Sequence, residues 1–225
     1  MPNAPYTPAD RRPIAARRWR ASHRAAGWLA RRGVSPNAIS LAGMACALAA
    51  GVTLAATATC PGWERVLWLT AAVLAPLRLA ANMLDGMVAV ESGRATRLGE
   101  LFNEVPDRVS DAAILIGLGY ARGSEPAVGY LAALMAVFTA YVRAVGKASG
   151  APQFYSGPMA KPQRMWLVTA FCFCAAAAPD SSTAPLPEVG LTPPALALLA
   201  VAVGGAVTAA RRLVLIRDAL REPTA

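Results

Sequence analysis

Two groups of polar residues interrupt an otherwise apolar sequence at spacings that suit chemistry. Arg78, Asn82, Asp85 and Ala89 follow one another at intervals of four, three and four, so a helix carries them all on one face, with the small Ala89 permitting close approach. Glu100, Asn103, Glu104, Asp107 and Asp111 keep the same kind of spacing and form an acidic stripe. The link between the stripes, with Gly86, Gly93, Gly99, Arg94, Thr96 and Arg97, is short, and an antiparallel hairpin with the stripes facing each other is expected. Hard carboxylate and amide oxygens with no His or Cys nearby suit Mg²⁺, Mn²⁺ or Ca²⁺ rather than zinc. The same residues also fit a salt-bridge network around Arg78 and Arg108, or a loop of solvated charges.

Charged groups at the depth of a spanning helix cost about 2.5 to 3.5 kcal/mol each, so their retention marks a functional site. The elements that must hold them are apolar stretches at 38–59, 66–83, 105–120, 127–145, 165–178 and 194–216. A spanning helix takes about 20 mostly apolar residues; 105–120 begins with charges and 165–178 is short, so the expectation is an all-α, polytopic membrane protein with about six transmembrane helices. Ahead of them, 14–32 mixes Trp19, Trp28 and Leu29 with six arginines, including Arg17 and Arg24, and reads as an interfacial amphipathic helix. The expected organisation is a tail and interfacial helix over 1–33, a membrane domain over 34–221 and a short tail over 222–225.

Of 225 residues, 56% are hydrophobic and 16% charged, with a formal net charge of +9. The basic residues cluster beside apolar runs without zinc-finger spacing or an aromatic RNA-binding signature, which argues against nucleic acid as a partner. With six spans, the arginines of the N-terminus, Arg94, Arg97, Lys147, Lys161 and the C-terminal Arg211 to Arg221 group share one side, whereas the opposite loops hold only Arg65 and Arg122. The positive-inside bias therefore places both termini and the polar stripes on the cytoplasmic side. Cys46, Cys172 and Cys174 lie in apolar segments and imply no disulfide framework. The basic N-terminus lacks the apolar core of a secretory signal and is expected to stay on the mature protein. Richness in Ala, Arg and Pro fits a GC-rich bacterium, hence the bacterial inner membrane.

The stretch NMLDGMVAV, eight residues, then GELFNEVPD, from Asn82 to Asp107, resembles the signature of the CDP-alcohol phosphotransferases, DxxDGxxAR, eight residues, then GxxxDxxxD. Asp85, Gly86, Ala89, Gly99 and Asp107 match; Thr96 and Arg97 stand where members often carry the same pair, and SPNAIS at 35–40 resembles the family's lead-in to its first span. The resemblance implies a metal-assisted transferase taking a CDP-linked donor, usually CDP-diacylglycerol, with release of CMP in phospholipid synthesis. It implies Asp85 and Asp107 as metal ligands, Asp107 also as the base toward the acceptor hydroxyl, and Gly86 as a point of close backbone approach. Ala89, Gly99, Thr96, Arg94 and Arg97 fall in the donor region. Lys161 and Arg164, in GPMAKPQRM, resemble basic positions that hold an acceptor's phosphate or the donor; Arg143 and Lys147 form a second basic element. Membrane-flanking charge alone also accounts for these four. A homodimer in contact with membrane lipid is expected from the resemblance.

The sequence departs from the signature at Asn82 and Asn103, where aspartates are expected, and at Val90, where arginine is expected. Asn can still offer a carbonyl oxygen to Mg²⁺ or Mn²⁺, but two negative charges are lost from a site that normally balances two ions. Two divalent ions about 4 Å apart repel by roughly 16 kcal/mol at an effective dielectric of 20. One tightly held ion is therefore expected, with a second recruited by the donor diphosphate or by Glu104 and Glu100. Arg94 or Arg97 is expected to replace the missing arginine. Two other functions compete: a catalytically silent relative that binds lipid or a partner, and a cation transporter. The acids lie near one membrane surface rather than at its midplane, which disfavours transport.

Overall fold

The computed structural model describes residues 15–221, which fold as helices with no strand among them. A 3-10 turn, Ala15–Arg18, precedes α1, Arg20–Arg31; α2 is Pro36–Ala56, α3 Glu64–Glu91, α4 Arg97–Gly119, α5 Pro126–Ala148, α6 Lys161–Ala177, α7 Pro179–Thr183 and α8 Pro193–Arg221. Each apolar stretch of the sequence lies largely on one of the longer helices. The basic segment is less regular than expected: Trp19 is extended (φ −73°, ψ 134°), so α1 begins only at Arg20. Residue 14 and the two terminal tails lie outside the described residues.

Local chemistry sets the ends that matter for the site. Gly33 adopts φ 73°, a conformation that releases the chain from α1 without a Cβ penalty. Two residues on, the Ser35 hydroxyl accepts from the Ala38 amide at 3.1 Å, and Pro36 occupies the first helical position of α2. Thr96 caps α4 in the same way, accepting from the Gly99 amide at 3.0 Å. Pro76 and Pro106 sit inside α3 and α4, where each removes one ladder hydrogen bond close to the polar stripes.

The bundle is organised around α2, which packs along both α3 and α4; α5 lies against α4 and α8, and α6 against α3. The two stripe-bearing helices touch each other little. The expected hairpin is therefore open, and its stripes meet through side chains across a space. Close approach of α2 and α4 depends on Gly51 and Gly117, since a methyl group on Gly117 would run into the Gly51 backbone.

Leu54, Trp68, Ile114, Leu115, Leu118 and Leu198 fill the core toward one end of the bundle, with Trp68 edge-on to Phe171 at 5.4 Å between ring centres. On that end Arg122 ties Glu64 and Asp180 together, each at 3.0 Å. Buried Arg78, Asp85, Asp107, Asp111, Arg143, Lys161, Arg164 and Arg212 gather toward the other end. There α1 lies across α3, burying Ala26 beside Ile39, Met87 and Val88, while Trp19 and Trp28 stay exposed. Four helices, α2, α3, α5 and α8, are long and apolar enough to cross a membrane. The expected six reduce to these four by length and composition, because α4 carries its charges within the helix and α6 has 17 residues.

Candidate active site

A cavity of about 780 Å³ opens between the ends of α2, α3, α4 and α5. Asn82, Asp85, Gly86 and Ala89 line it from α3, and Gly99, Asn103, Glu104, Asp107 and Arg108 from α4. Arg94 and Thr96 line it from the link, and Arg143 and Lys147 from α5. Its size falls in the range of small-ligand sites. Of the expected donor residues, Arg97 has no described side chain. Lys161 and Arg164 lie deeper, in a small polar recess with Arg108, Thr139, Arg143 and Arg212.

Asp85 is buried, and its carboxylate is oriented from three directions. The Ser40 hydroxyl donates to Oδ2 at 2.7 Å; the Gly86 amide and, at 3.4 Å, Asn103 Nδ2 donate to Oδ1. Asn82 Nδ2 lies 3.4 Å from Asp107 Oδ2, while Asn82 Oδ1 is buried with no hydrogen-bond partner. Such an orphaned acceptor costs roughly 1 to 3 kcal/mol unless something fills its vicinity.

Asp107 has a different surround. Its Oδ1 is ion-paired with both Arg78 and Lys161, and Arg108 stands 3.5 Å from Oδ2. Arg78 is further fixed by donating from Nε to Ser110 Oγ at 2.8 Å. One turn deeper, Asp111 accepts from Arg164 Nη2 at 2.7 Å and lies 3.3 Å from Lys161 Nζ. Glu104 turns toward α5, where Arg143 holds both its oxygens at 2.7 and 2.8 Å, and Arg108 binds it at 2.7 Å. The geometry therefore gives the Glu104 carboxylate to arginines rather than to the Asn82 and Asp85 oxygens. Among the described residues, no group of three His, Cys, Asp or Glu side chains converges as a metal site. The two asparagines interrupt the acidic set that the helical spacing would otherwise deliver.

Several lining residues escaped sequence reasoning. Ser40 lies in the SPNAIS lead-in, but nothing in its spacing reveals that it reaches Asp85, 45 residues away. Arg17 enters the cavity from the 3-10 turn, and its Nη2 would stand 3.7 Å from a methyl group on Gly86. Gln153 and Tyr155 come from the loop after α5. Gln153 accepts from Arg143 at 3.0 Å and from Tyr155 Oη at 2.9 Å, and the Arg143 guanidinium lies over the Tyr155 ring. Arg212 pins this loop by donating to the carbonyls of Tyr155 and Ser156.

The family model described as CDP-alcohol phosphatidyltransferase matches residues 33–215. The chain belongs to that family. Within the CDP-alcohol phosphatidyltransferases it is 31% identical over 198 residues to the phosphatidylinositol phosphate synthase of Streptomyces avermitilis, covering 85% of this chain and 76% of that one. It is 30% identical over 137 residues to the inner membrane protein YnbA of Escherichia coli, covering 61% and 66% of the two chains. The Mycolicibacterium smegmatis phosphatidylinositol phosphate synthase is 32% identical over 144 residues, 61% of either chain. The chain thus spans less than two thirds of the length of two of these relatives.

Among solved structures, the fold is similar to the Mycobacterium tuberculosis phosphatidylinositol phosphate synthase with CDP-DAG bound, with a TM-score of 0.70 at 22% identity, covering 92% of this chain and all (100%) of that one. The same synthase in complex with manganese and citrate matches with a TM-score of 0.67 at 23% identity, covering 91% and 93%. At these identities the structural likeness speaks for the fold. The range matched by the CDP-alcohol phosphatidyltransferase model contains the whole stretch from Asn82 to Asp107.

Proposed function

We propose that the chain transfers a phosphatidyl-type group from a CDP-linked donor, of the CDP-diacylglycerol class, to an alcohol acceptor with release of CMP. The observation that carries this reading is one cavity lined together by Asn82, Asp85, Gly86 and Asp107 and by the basic Arg143 and Lys147. Family membership and the relatives named phosphatidylinositol phosphate synthase support it.

The oxygen donors fit one divalent ion, Mg²⁺ or Mn²⁺. Asn82 Oδ1 is buried and partnerless, Asp85 is held in place by Ser40, and the Asn103 amide can turn its oxygen toward them. Manganese in the Mycobacterium tuberculosis synthase is in keeping with this donor set. When bound, the ion supplies charge stabilisation on the phosphoryl oxygens and the leaving group.

The remaining steps belong to the chain. Gly86 and Ala89 let the donor approach the α3 backbone, while Arg17 and Arg94 supply positive charge toward its diphosphate, with Thr96 and Gly99 shaping the link. The acceptor hydroxyl oxygen bonds to the β-phosphorus as that atom's bond to the bridging oxygen breaks; CMP departs with that oxygen. Asp107 Oδ2, whose Oδ1 is occupied by Arg78 and Lys161, takes the hydroxyl proton. Arg143 and Lys147 line the cavity with charge suited to a phosphorylated acceptor, and Lys161 and Arg164 add positive charge from the recess behind them.

A second reading, a catalytically silent relative that binds lipid or a partner protein, is favoured by the same clamp on Asp107, since two cations already hold one of its oxygens. Incubation of the purified protein with labelled CDP-diacylglycerol, Mn²⁺ or Mg²⁺ and a panel of plain and phosphorylated alcohols separates the two. CMP release that is lost in Asp107→Asn supports transfer; no release with any acceptor supports silence.

We further propose that α4 and α6 also cross the bilayer, giving six spans over a 34–221 domain. Both termini and the cavity then face the cytoplasm of a bacterial cell, and the chain works as a homodimer among membrane lipids. Cysteine-accessibility labelling from either side of the inner membrane and mass measurement in detergent test these placements.

A further inference from the structure

The charge on this site is arranged differently from the signature it follows. Asn82 and Asn103 remove two negative charges, and the protein brings buried cations to the oxygens that remain. Arg78 is 1% exposed and Lys161 2%, and both are ion-paired with the same oxygen of Asp107. They come from different helices, α3 and α6, so the convergence is made by the tertiary fold and not by local sequence.

The surroundings are shaped for these cations. Ser110 accepts from Arg78 Nε at 2.8 Å, and Gly43 on α2 leaves room for the guanidinium, since a methyl group there would stand 2.9 Å from Arg78 Nη1. Lys161 bridges two carboxylates, reaching Asp111 Oδ1 at 3.3 Å as well as Asp107. A buried cation without such partners would be expelled or neutralised, so the network is self-consistent as it stands.

A charge balance follows from the buried groups. Asp85, Asp107 and Asp111 stand against five buried cations, Arg78, Arg143, Lys161, Arg164 and Arg212, with Arg143 paired to Glu104. The set carries no negative excess before any ion arrives. One divalent ion adds two positive charges, which a diphosphate cancels. A second ion adds two more with only Asp107 Oδ2, beside Arg108, left to receive it, because Asp107 Oδ1 is taken by Arg78 and Lys161 and Glu104 is held by Arg143 and Arg108.

We infer that Lys161 and Arg78 take the place of a second divalent ion, and that this chain works with a single ion on the Asn82, Asp85 and Asn103 oxygens. The inference rests on the transfer reading above and adds to it the number of ions and the residues that set it. Lys161 and Arg78 are positioning residues in this sense, since they neutralise Asp107 and hold it in place.

The test is the stoichiometry of Mn²⁺ bound to the full chain in detergent or nanodiscs, with CDP as a soluble diphosphate probe, read by electron paramagnetic resonance. Wild type is expected to bind one Mn²⁺ per chain, and so is Asn82→Asp/Asn103→Asp, because the cations remain. Adding Lys161→Met to that pair is expected to raise the count to two, with the broadened spectrum of coupled manganese, whereas Lys161→Arg keeps it at one. Two ions in wild type, or a second ion gained by Asn82→Asp/Asn103→Asp with Lys161 intact, overturns the inference without touching the transfer reading. These two proteins decide the matter even where the Lys161→Met variant fails to fold. One bound ion without CMP release from any acceptor overturns the transfer reading and leaves the ion count standing.

Discussion

Lys161 Nζ is ion-paired with Asp107 Oδ1 across 54 residues of sequence, in a position where both groups are almost wholly buried. The pair joins the start of α6 to the acidic face of α4 and leaves only the other carboxylate oxygen of Asp107 toward the cavity. A carboxylate used in this way is oriented strongly and neutralised at the same time.

Asp85 and Asp111 differ in what they face, and their variants should differ accordingly. Asp85→Ala removes the buried carboxylate that Ser40, Gly86 and Asn103 orient and is expected to abolish Mn²⁺ and donor binding, measured by calorimetry, with little loss of stability. Asp111→Asn leaves Arg164, otherwise paired at 2.7 Å, without a carboxylate and Lys161 with Asp107 alone, and is expected to cost about 3 to 5 kcal/mol of stability in detergent melts. Its effect on ion affinity should be the smaller of the two. Equal donor affinity in Asp85→Ala and wild type would remove Asp85 from the ion's ligands.

Ser40 acts through Asp85 and not on substrate. Loss of a partner that orients a metal ligand lowers metal affinity by roughly 10- to 100-fold. Ser40→Ala is expected to raise the Mn²⁺ concentration needed for half-maximal CMP release by that amount, and saturating Mn²⁺ should restore most of the rate. A rate that stays low at saturating Mn²⁺ would argue for a direct catalytic part.

Arg17 reaches the Gly86 wall of the cavity, while Val90, at the signature's arginine position, is 47% exposed. A charge-assisted hydrogen bond to a phosphate contributes about 1.5 to 3 kcal/mol. Arg17→Ala should therefore raise the KM for donor about ten-fold or more, with kcat little changed. Equal KM values for Arg17→Ala and wild type would return the N-terminal segment to a purely membrane-surface role.

The Gly51 and Gly117 crossing holds α4 against α2 and so sets where Asp107 and Asn103 stand. Gly117→Ala places a methyl group against the Gly51 backbone and is expected to cost about 1 to 3 kcal/mol, with CMP release falling alongside the melting temperature. Unchanged stability would mean that the crossing relaxes without penalty.

Much of this protein was legible without a fold. Apolar length located the long helices, because a lipid-exposed backbone must satisfy its own hydrogen bonds. Helical spacing put Arg78, Asn82, Asp85 and Ala89 on one face, since local geometry alone decides which residues of a helix share a side. The signature from Asn82 to Asp107 named the family, and its departures at Asn82, Val90 and Asn103 could be read directly.

What the sequence could not decide was which groups meet across helices. The open space between α3 and α4 arises because α2 takes the packing surface of both. The assignment of Glu104 to Arg143, of Asp107 to Arg78 and Lys161, and of Ser40 to Asp85 depends on how four or more helices converge. Spacing along one helix carries no information about such encounters, because electrostatic pairing in a buried site is settled by distances between elements. Sequence alone therefore determined the family, the helices and the polar faces; only the tertiary structure decided which carboxylates are already neutralised and which oxygens remain for an ion.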